Sequence, residues 1–252
     1  MTNTEIQSAA EPRSASFDAG GRTVGGGRGW DWIVEGFGLF RKQPGIWILA
    51  TVLLGVLFIL ISMIPFLGSL ANALLLPIFG AGLMLGCKAL DGGGTLELAH
   101  LFAGFKQRTG DLVMIGAFNL LGWLIIAFVV FMVIGGGVFM AVMRGGMPGA
   151  HISIMSMLIA LLLVTALSVP LYMATWFAPA LIVLNALSPV AALKASFYAC
   201  LRNWIPFLSY GVVLLVLGIV AAIPAGLGYL VLIPVLIASV YSSYRDIFCG
   251  GQ

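Results

Sequence analysis

Four long stretches of this chain carry no charged residue: 43–87, 112–143, 145–193 and 203–244. A helix that crosses a bilayer needs about 20 apolar residues. The first and last stretches are each long enough for two crossings. Each is broken near its middle, at Ile64-Pro65-Phe66-Leu67-Gly68 and Ile223-Pro224-Ala225-Gly226-Leu227-Gly228, where proline and glycine signal a tight turn. The second and third stretches give one crossing each. The pattern predicts six spanning helices, at about 45–63, 69–88, 112–134, 153–180, 206–222 and 228–245.

Short amphipathic segments precede the first, third and fifth spans. In the first, Trp30, Ile33, Phe37 and Phe40 share one helical face, with Asp31, Glu35 and Arg41 elsewhere. In the second, Leu98, Leu101, Phe102 and Phe105 lie opposite Glu97, His100 and Arg108. In the third, Ser188 is a good N-cap, Pro189 takes the first helical position, and Leu193, Phe197, Cys200 and Trp204 form the stripe. Such helices suit the membrane interface.

The ends of these segments align as Phe37-Gly38-Leu39-Phe40-Arg41, Phe102-Ala103-Gly104-Phe105-Lys106 and Tyr198-Ala199-Cys200-Leu201-Arg202. Pro77 precedes Lys88 by the same eleven residues that separate Pro234 from Arg245, and Pro179 falls in the comparable region of span four. The expected fold is therefore an all-α, polytopic transmembrane bundle of six spans. It is built from three parallel hairpin units, 29–90, 94–187 and 188–248, each preceded by a cytoplasmic interfacial helix. The middle unit deviates, with a longer outer connection from Gly135-Gly136-Gly137 to Met147-Pro148-Gly149. Its span four is expected to kink at Pro170 and to turn into the interface at Trp176-Phe177-Ala178-Pro179.

Composition sharpens this picture. Hydrophobic residues make up 61% of the 252 and charged residues 8%, which excludes an ordinary soluble enzyme and a disordered chain. Orientation follows from the bases, because Lys and Arg resist translocation. With the N-terminus inside, eleven of the twelve fall on the cytoplasmic side and only Arg144 falls outside. Residues 1–28 have no apolar core of a signal peptide, are rich in Ser, Ala, Gly and Thr, and are expected to be a disordered cytoplasmic tail. Cys87, Cys200 and Cys249 fall near the cytoplasmic ends and read as small apolar fillers. The triple glycines beginning at 25, 92 and 135 read as linkers, and nothing in the net charge of +3 calls for nucleic acid.

No Asp, Glu, Lys, Arg or His lies at membrane depth within the predicted spans, which disfavours ion-coupled transport. The candidate intramembrane polar residues are Asn72, Asn119 and Tyr172, in company with Ser62, Thr165, Ser168, Thr175, Ser209 and Tyr210, all expected to bond across helices or back to their own helix. The candidate cytoplasmic cluster is Asp91, Glu97, His100, Arg202, Tyr244, Arg245 and Asp246. Glu97 and His100 share a face, but no nucleophile is paired with a base, and no catalytic residue, metal or cofactor is assigned. Two readings of Arg245 and Asp246 stand side by side: ordinary positive-inside anchoring, or pairing with groups on the interfacial helices such as Glu97 or Arg202 that would lock the hairpin feet.

The runs Arg28-Gly29-Trp30-Asp31-Trp32-Ile33, Gly82-Leu83-Met84-Leu85-Gly86-Cys87-Lys88-Ala89-Leu90-Asp91 and Tyr241-Ser242-Ser243-Tyr244-Arg245-Asp246-Ile247-Phe248 resemble an uncharacterised family of proteobacterial six-span inner-membrane proteins. The proline-bearing hairpins and the Tyr-Arg-Asp ending are loosely similar to the membrane domain of glycerophosphodiester phosphodiesterases, without any catalytic domain. The resemblance implies an inner-membrane location and a topology, and no activity. The expected function is a non-enzymatic accessory or scaffold, with membrane lipids and a second membrane protein as partners. The alternative is a passive or lipid-handling transporter with a cavity between its kinked even-numbered spans.

Overall fold

The computed structural model describes residues 17–143 and 154–250. Among these, the first hairpin is α1 (Arg28–Lys42), α2 (Pro44–Ser62) and α3 (Leu67–Asp91). A 3₁₀ helix (Leu98–Phe105) leads into α4 (Thr109–Met143) and α5 (Ile154–Thr175), followed by α6 (Ala178–Asn185). The third hairpin is α7 (Pro189–Arg202), α8 (Trp204–Ala222) and α9 (Tyr229–Phe248). Among the described residues, six segments are long and apolar enough to cross a membrane: α2, α3, most of α4, α5 continuing through α6, α8 and α9.

The three short helices close a cycle. The 3₁₀ helix packs on α3, α7 packs on α5, and α1 packs on α9, so each lies against the second helix of the preceding hairpin. Small residues permit these approaches. A Cβ at Gly36 would come 2.6 Å from the Ser239 nitrogen and 2.8 Å from the Val235 carbonyl, and one at Gly104 would strike the Ile78 carbonyl. Val235 and Ile78 each follow the proline inside their helix, Pro234 and Pro77. Pro77 also leaves the Ala73 carbonyl without its helical partner, and there α4 presents Gly116, whose Cβ would sit 2.8 Å from that oxygen.

The core lies towards the end that holds the feet of the hairpins. Over half of the apolar window of α9 is buried, whereas only 6% of that of α4 is. Trp32, Trp47, Phe177, Ile78, Leu181 and Phe248 are fully enclosed there, while the opposite turns expose Met63, Phe66 and Ile223. Helices α3 and α9 and the short α6 form the centre of the bundle, and α2, α4, α8 and most of α5 lie at its rim.

Several expected details are corrected. The second amphipathic segment is a 3₁₀ helix, in which residues three apart eclipse one another. Its buried residues are Leu101 and Gly104, with Leu98 partly buried beside them, and Phe102 and Phe105 are exposed, edge-on to Phe79. In α1 the buried face is Gly29, Trp32, Ile33, Gly36, Leu39 and Phe40, and Trp30 and Phe37 face outward. In α7 the buried face is Pro189, Ala192, Ser196 and Ala199 as well as Cys200; Trp204 is exposed, and Ser188 makes no side-chain cap. The glycines 135–137 continue α4 as helix. The connection from 144 to 153 lies outside the described residues. Beyond Trp176-Phe177, α6 packs into the core through Ala178, Ala180, Leu181 and Ile182.

Candidate functional site

The expected tail also needs revision, because residues 17–27 form an ordered strap across the foot. The Asp18 and Arg22 amides donate to the Phe248 and Ile247 carbonyls, two of the acceptors that the end of α9 leaves without helical partners. Asn203, fully buried at the α7–α8 joint, accepts from the Val24 amide through Oδ1 and donates to the Arg22 carbonyl through Nδ2. Ser209 Oγ donates to the Gly26 carbonyl, and Arg202 to that of Gly20. Residues 1–16 lie outside the described residues.

Beneath the strap is a charge network. The Asp246 side chain is 3% exposed and accepts hydrogen bonds from Arg22, from Arg28 Nε at 2.6 Å and from Trp32 Nε1 at 2.9 Å. Arg28 also reaches Asp31 at 3.3 Å and Glu35 at 3.1 Å. Hydrogen bonding to Asp246 raises the Arg28 pKa above its ordinary value, with burial opposing it. Arg245 lies 2.6 Å from Asp91 and 3.4 Å from Glu35, and Tyr241 donates to Asp91 at 3.2 Å. A buried carboxylate is tolerated only when paired and hydrogen-bonded. Here three cations and an indole serve four acids that come from three helices.

The contacts that Arg245 and Asp246 make at the hairpin feet are not the expected ones. Arg245 and Asp246 engage Glu35, Asp91, Arg22 and Arg28, whereas Glu97 and Arg202 do not take part. Arg202 binds the strap backbone, and Tyr244 donates to Asn185 Oδ1 at the end of α6. Glu97 and His100 form a local capping box at the start of the 3₁₀ helix, with the Glu97 amide donating to His100 Nδ1 at 3.0 Å. Asp91 is engaged separately, and no group of three His, Cys, Asp or Glu side chains among the described residues is placed to hold a metal. Burial pushes the Cys200 thiol up to about 12, so it stays protonated and unreactive.

At depth, several polar side chains bond to nearby backbone, and others bond to each other across helices. Asn72 Nδ2 donates to Ser62 Oγ at 2.7 Å and to the Phe58 carbonyl at 3.3 Å, joining α3 to α2. Ser62, Thr165, Ser168 and Thr175 donate back to carbonyls of their own helices. Tyr210 and Ser239 hydroxyls meet at 2.7 Å between α8 and α9. Asn119 is partly buried on α4, and Tyr172 is half exposed, edge-on to Trp123.

Sequence reasoning missed Trp32, Arg22, Arg28, Glu35 and Asn203 as members of this site. The spacing of Gly29 and Gly36 around Trp32 was the available signal, since two glycines two turns apart mark the face where another backbone approaches. Removal of the Arg245 guanidinium in Arg245→Ala leaves Asp91 with Tyr241 and Glu35 with Arg28. The expected loss is about 1.5 kcal/mol, the scale of a hydrogen bond to a charged group, read as a lower unfolding temperature in detergent. An unchanged temperature would reduce Arg245 to a surface anchor.

A probable inner membrane protein of Burkholderia thailandensis is 28% identical over 245 residues, covering 87% of this chain and 90% of that protein. No family model matches, and no solved structure matches. A likeness of this extent, together with six apolar helices, supports an inner-membrane protein.

Proposed function

We propose that the protein is a non-enzymatic scaffold or accessory subunit of the inner membrane, with both termini cytoplasmic and three hairpin units around a pseudo-threefold axis. The observation that carries this reading is the use of the foot's charges. Asp31, Glu35, Asp91, Asp111 and Asp246 are each paired with an arginine that ties chain segments together, so these carboxylates serve architecture. The cyclic docking of the three short helices supports the threefold arrangement. A passive or lipid-handling transporter would need a passage between the even-numbered spans, and the foot half of that region is filled by Ile78, Leu83, Ile182, Ala238 and Phe248.

Reconstitution into liposomes with a fluorescent lipid tests this reading. Lipid translocation is expected at the rate of protein-free vesicles, and faster translocation would replace the scaffold by the transporter. A second membrane protein retained at fixed stoichiometry in native-lipid nanodiscs is the expected positive result. A fluorescent protein fused at the C-terminus is expected to mature, as it does only on the cytoplasmic side.

A further inference from the structure

A groove of about 480 Å³ lies between α1 and the third hairpin. One wall is the outward face of α1, where Trp30, Val34 and Phe37 stand one turn apart and are each about half exposed. The other wall is made by α8 and α9 through residues such as Val220 and Val231, and the groove ends at the turn before Gly228. From Val235 to Gly228 it follows about 10 Å of helix at about 1.5 Å per residue. Its walls are almost purely hydrocarbon.

The α1 stripe continues to Arg41, whose guanidinium sits 5.9 Å from the centre of the Phe37 ring. This places a cation at the rim of the groove. The neighbouring acids Asp31, Glu35, Asp91 and Asp246 are taken by Arg22, Arg28 and Arg245. Among the described residues Arg41 forms no ion pair and is exposed. A second groove, of about 470 Å³ between α5, α7 and α8, is equally apolar but has no stacked cation among the described residues.

We propose that the α1 groove binds one anionic glycerophospholipid, with acyl chain between α1 and the third hairpin and phosphate against Arg41. Charge complementarity selects the headgroup, and the apolar walls select a chain. An interfacial helix places its basic end at headgroup depth and its apolar face in the acyl boundary, which is the geometry that such a lipid requires. The site is independent of the scaffold role, since it needs neither a partner protein nor transport.

The test is native mass spectrometry of the protein released from nanodiscs that contain equal phosphatidylglycerol and phosphatidylcholine with the same acyl chains. Wild type is expected to retain phosphatidylglycerol about fivefold over phosphatidylcholine, the effect of one basic residue at an anionic surface. Arg41→Gln should bring the ratio near one, Arg41→Lys should restore most of it, and Lys106→Gln, at the corresponding end of the 3₁₀ helix, should leave it unchanged. Val220→Trp, at an exposed groove position, should lower retention of both lipids, whereas Ile219→Trp, exposed beside it, should not. The proposal is overturned if wild type shows no preference, if Lys106→Gln lowers the ratio as much as Arg41→Gln, or if Val220→Trp retains lipid like wild type.

Discussion

Asp246→Ala is expected to produce the largest loss of stability of any single polar substitution at the foot. The carboxylate is almost completely enclosed and serves Arg22, Arg28 and Trp32 at once. Its removal leaves the Trp32 indole nitrogen, in a fully buried side chain, without an acceptor, and two guanidiniums without their shared counter-ion. Breaking a buried pair typically costs about 3–5 kcal/mol. The arginines are part-exposed and Arg28 keeps Glu35 and Asp31, so the lower end, about 3 kcal/mol, is expected. Asp246→Asn should fall between wild type and Asp246→Ala, because an amide oxygen still accepts from Trp32 while the charge is lost. Thermal unfolding in detergent gives the order, and equal stability of all three proteins would show that the network holds nothing together.

Gly36→Ala is expected to lower stability by about 2 kcal/mol, although alanine is the better helix former. The added Cβ would meet the Ser239 nitrogen at 2.6 Å, its Cα at 2.9 Å and the Val235 carbonyl at 2.8 Å. These are backbone atoms, so α1 and α9 must separate, and overpacking of this kind costs about 1–3 kcal/mol. Gly38 supplies the control. Two residues further along the same helix it is exposed, and nothing lies within 4 Å of the Cβ that Gly38→Ala would add. That change should stabilise by about 0.5–1 kcal/mol through helix propensity alone. Opposite signs at positions 36 and 38 would establish that the α1–α9 contact, rather than helix formation, sets the stability. Losses of equal size would refute it.

Much of the site was visible as a location but not as a set of pairs. Asp91, Tyr244, Arg245 and Asp246 were identified at the hairpin feet, where they lie. Their partners were not, because ion pairing between Arg28 and Asp246 joins residues 218 positions apart, and no local pattern encodes that separation. Glu97 and His100 were grouped with Asp91 by proximity in sequence, yet their three-residue spacing serves a helix cap. Asn203 gave no signal, since a single Asn before an apolar run is indistinguishable from any loop residue until the strap is seen to fold over it.

The faces of the short helices were misjudged for a related reason. Periodicity separates apolar from polar positions, but in a membrane both the lipid side and the protein side of a helix are apolar. Trp30 and Trp32 are therefore equivalent to hydropathy, although one faces the groove and the other is sealed against Asp246. The second segment failed differently: its winding as a 3₁₀ helix replaced a spacing of three and four by a strict three, and Gly104 took the buried place assigned to Phe105.

The sequence by itself determined the solvent, the number of apolar crossings and their breaks. Backbone hydrogen bonds must be satisfied within each segment in lipid, so length and hydropathy suffice to define a spanning helix. Only the tertiary structure decided which face of each helix meets protein, which arginine serves which acid, and that residues 17–27 are part of the fold. Those choices depend on close backbone approach at small residues, which the spacing of Gly29 and Gly36 only hints at, and on charges brought together from distant parts of the chain, which leave no periodic trace along spans that are apolar on every face.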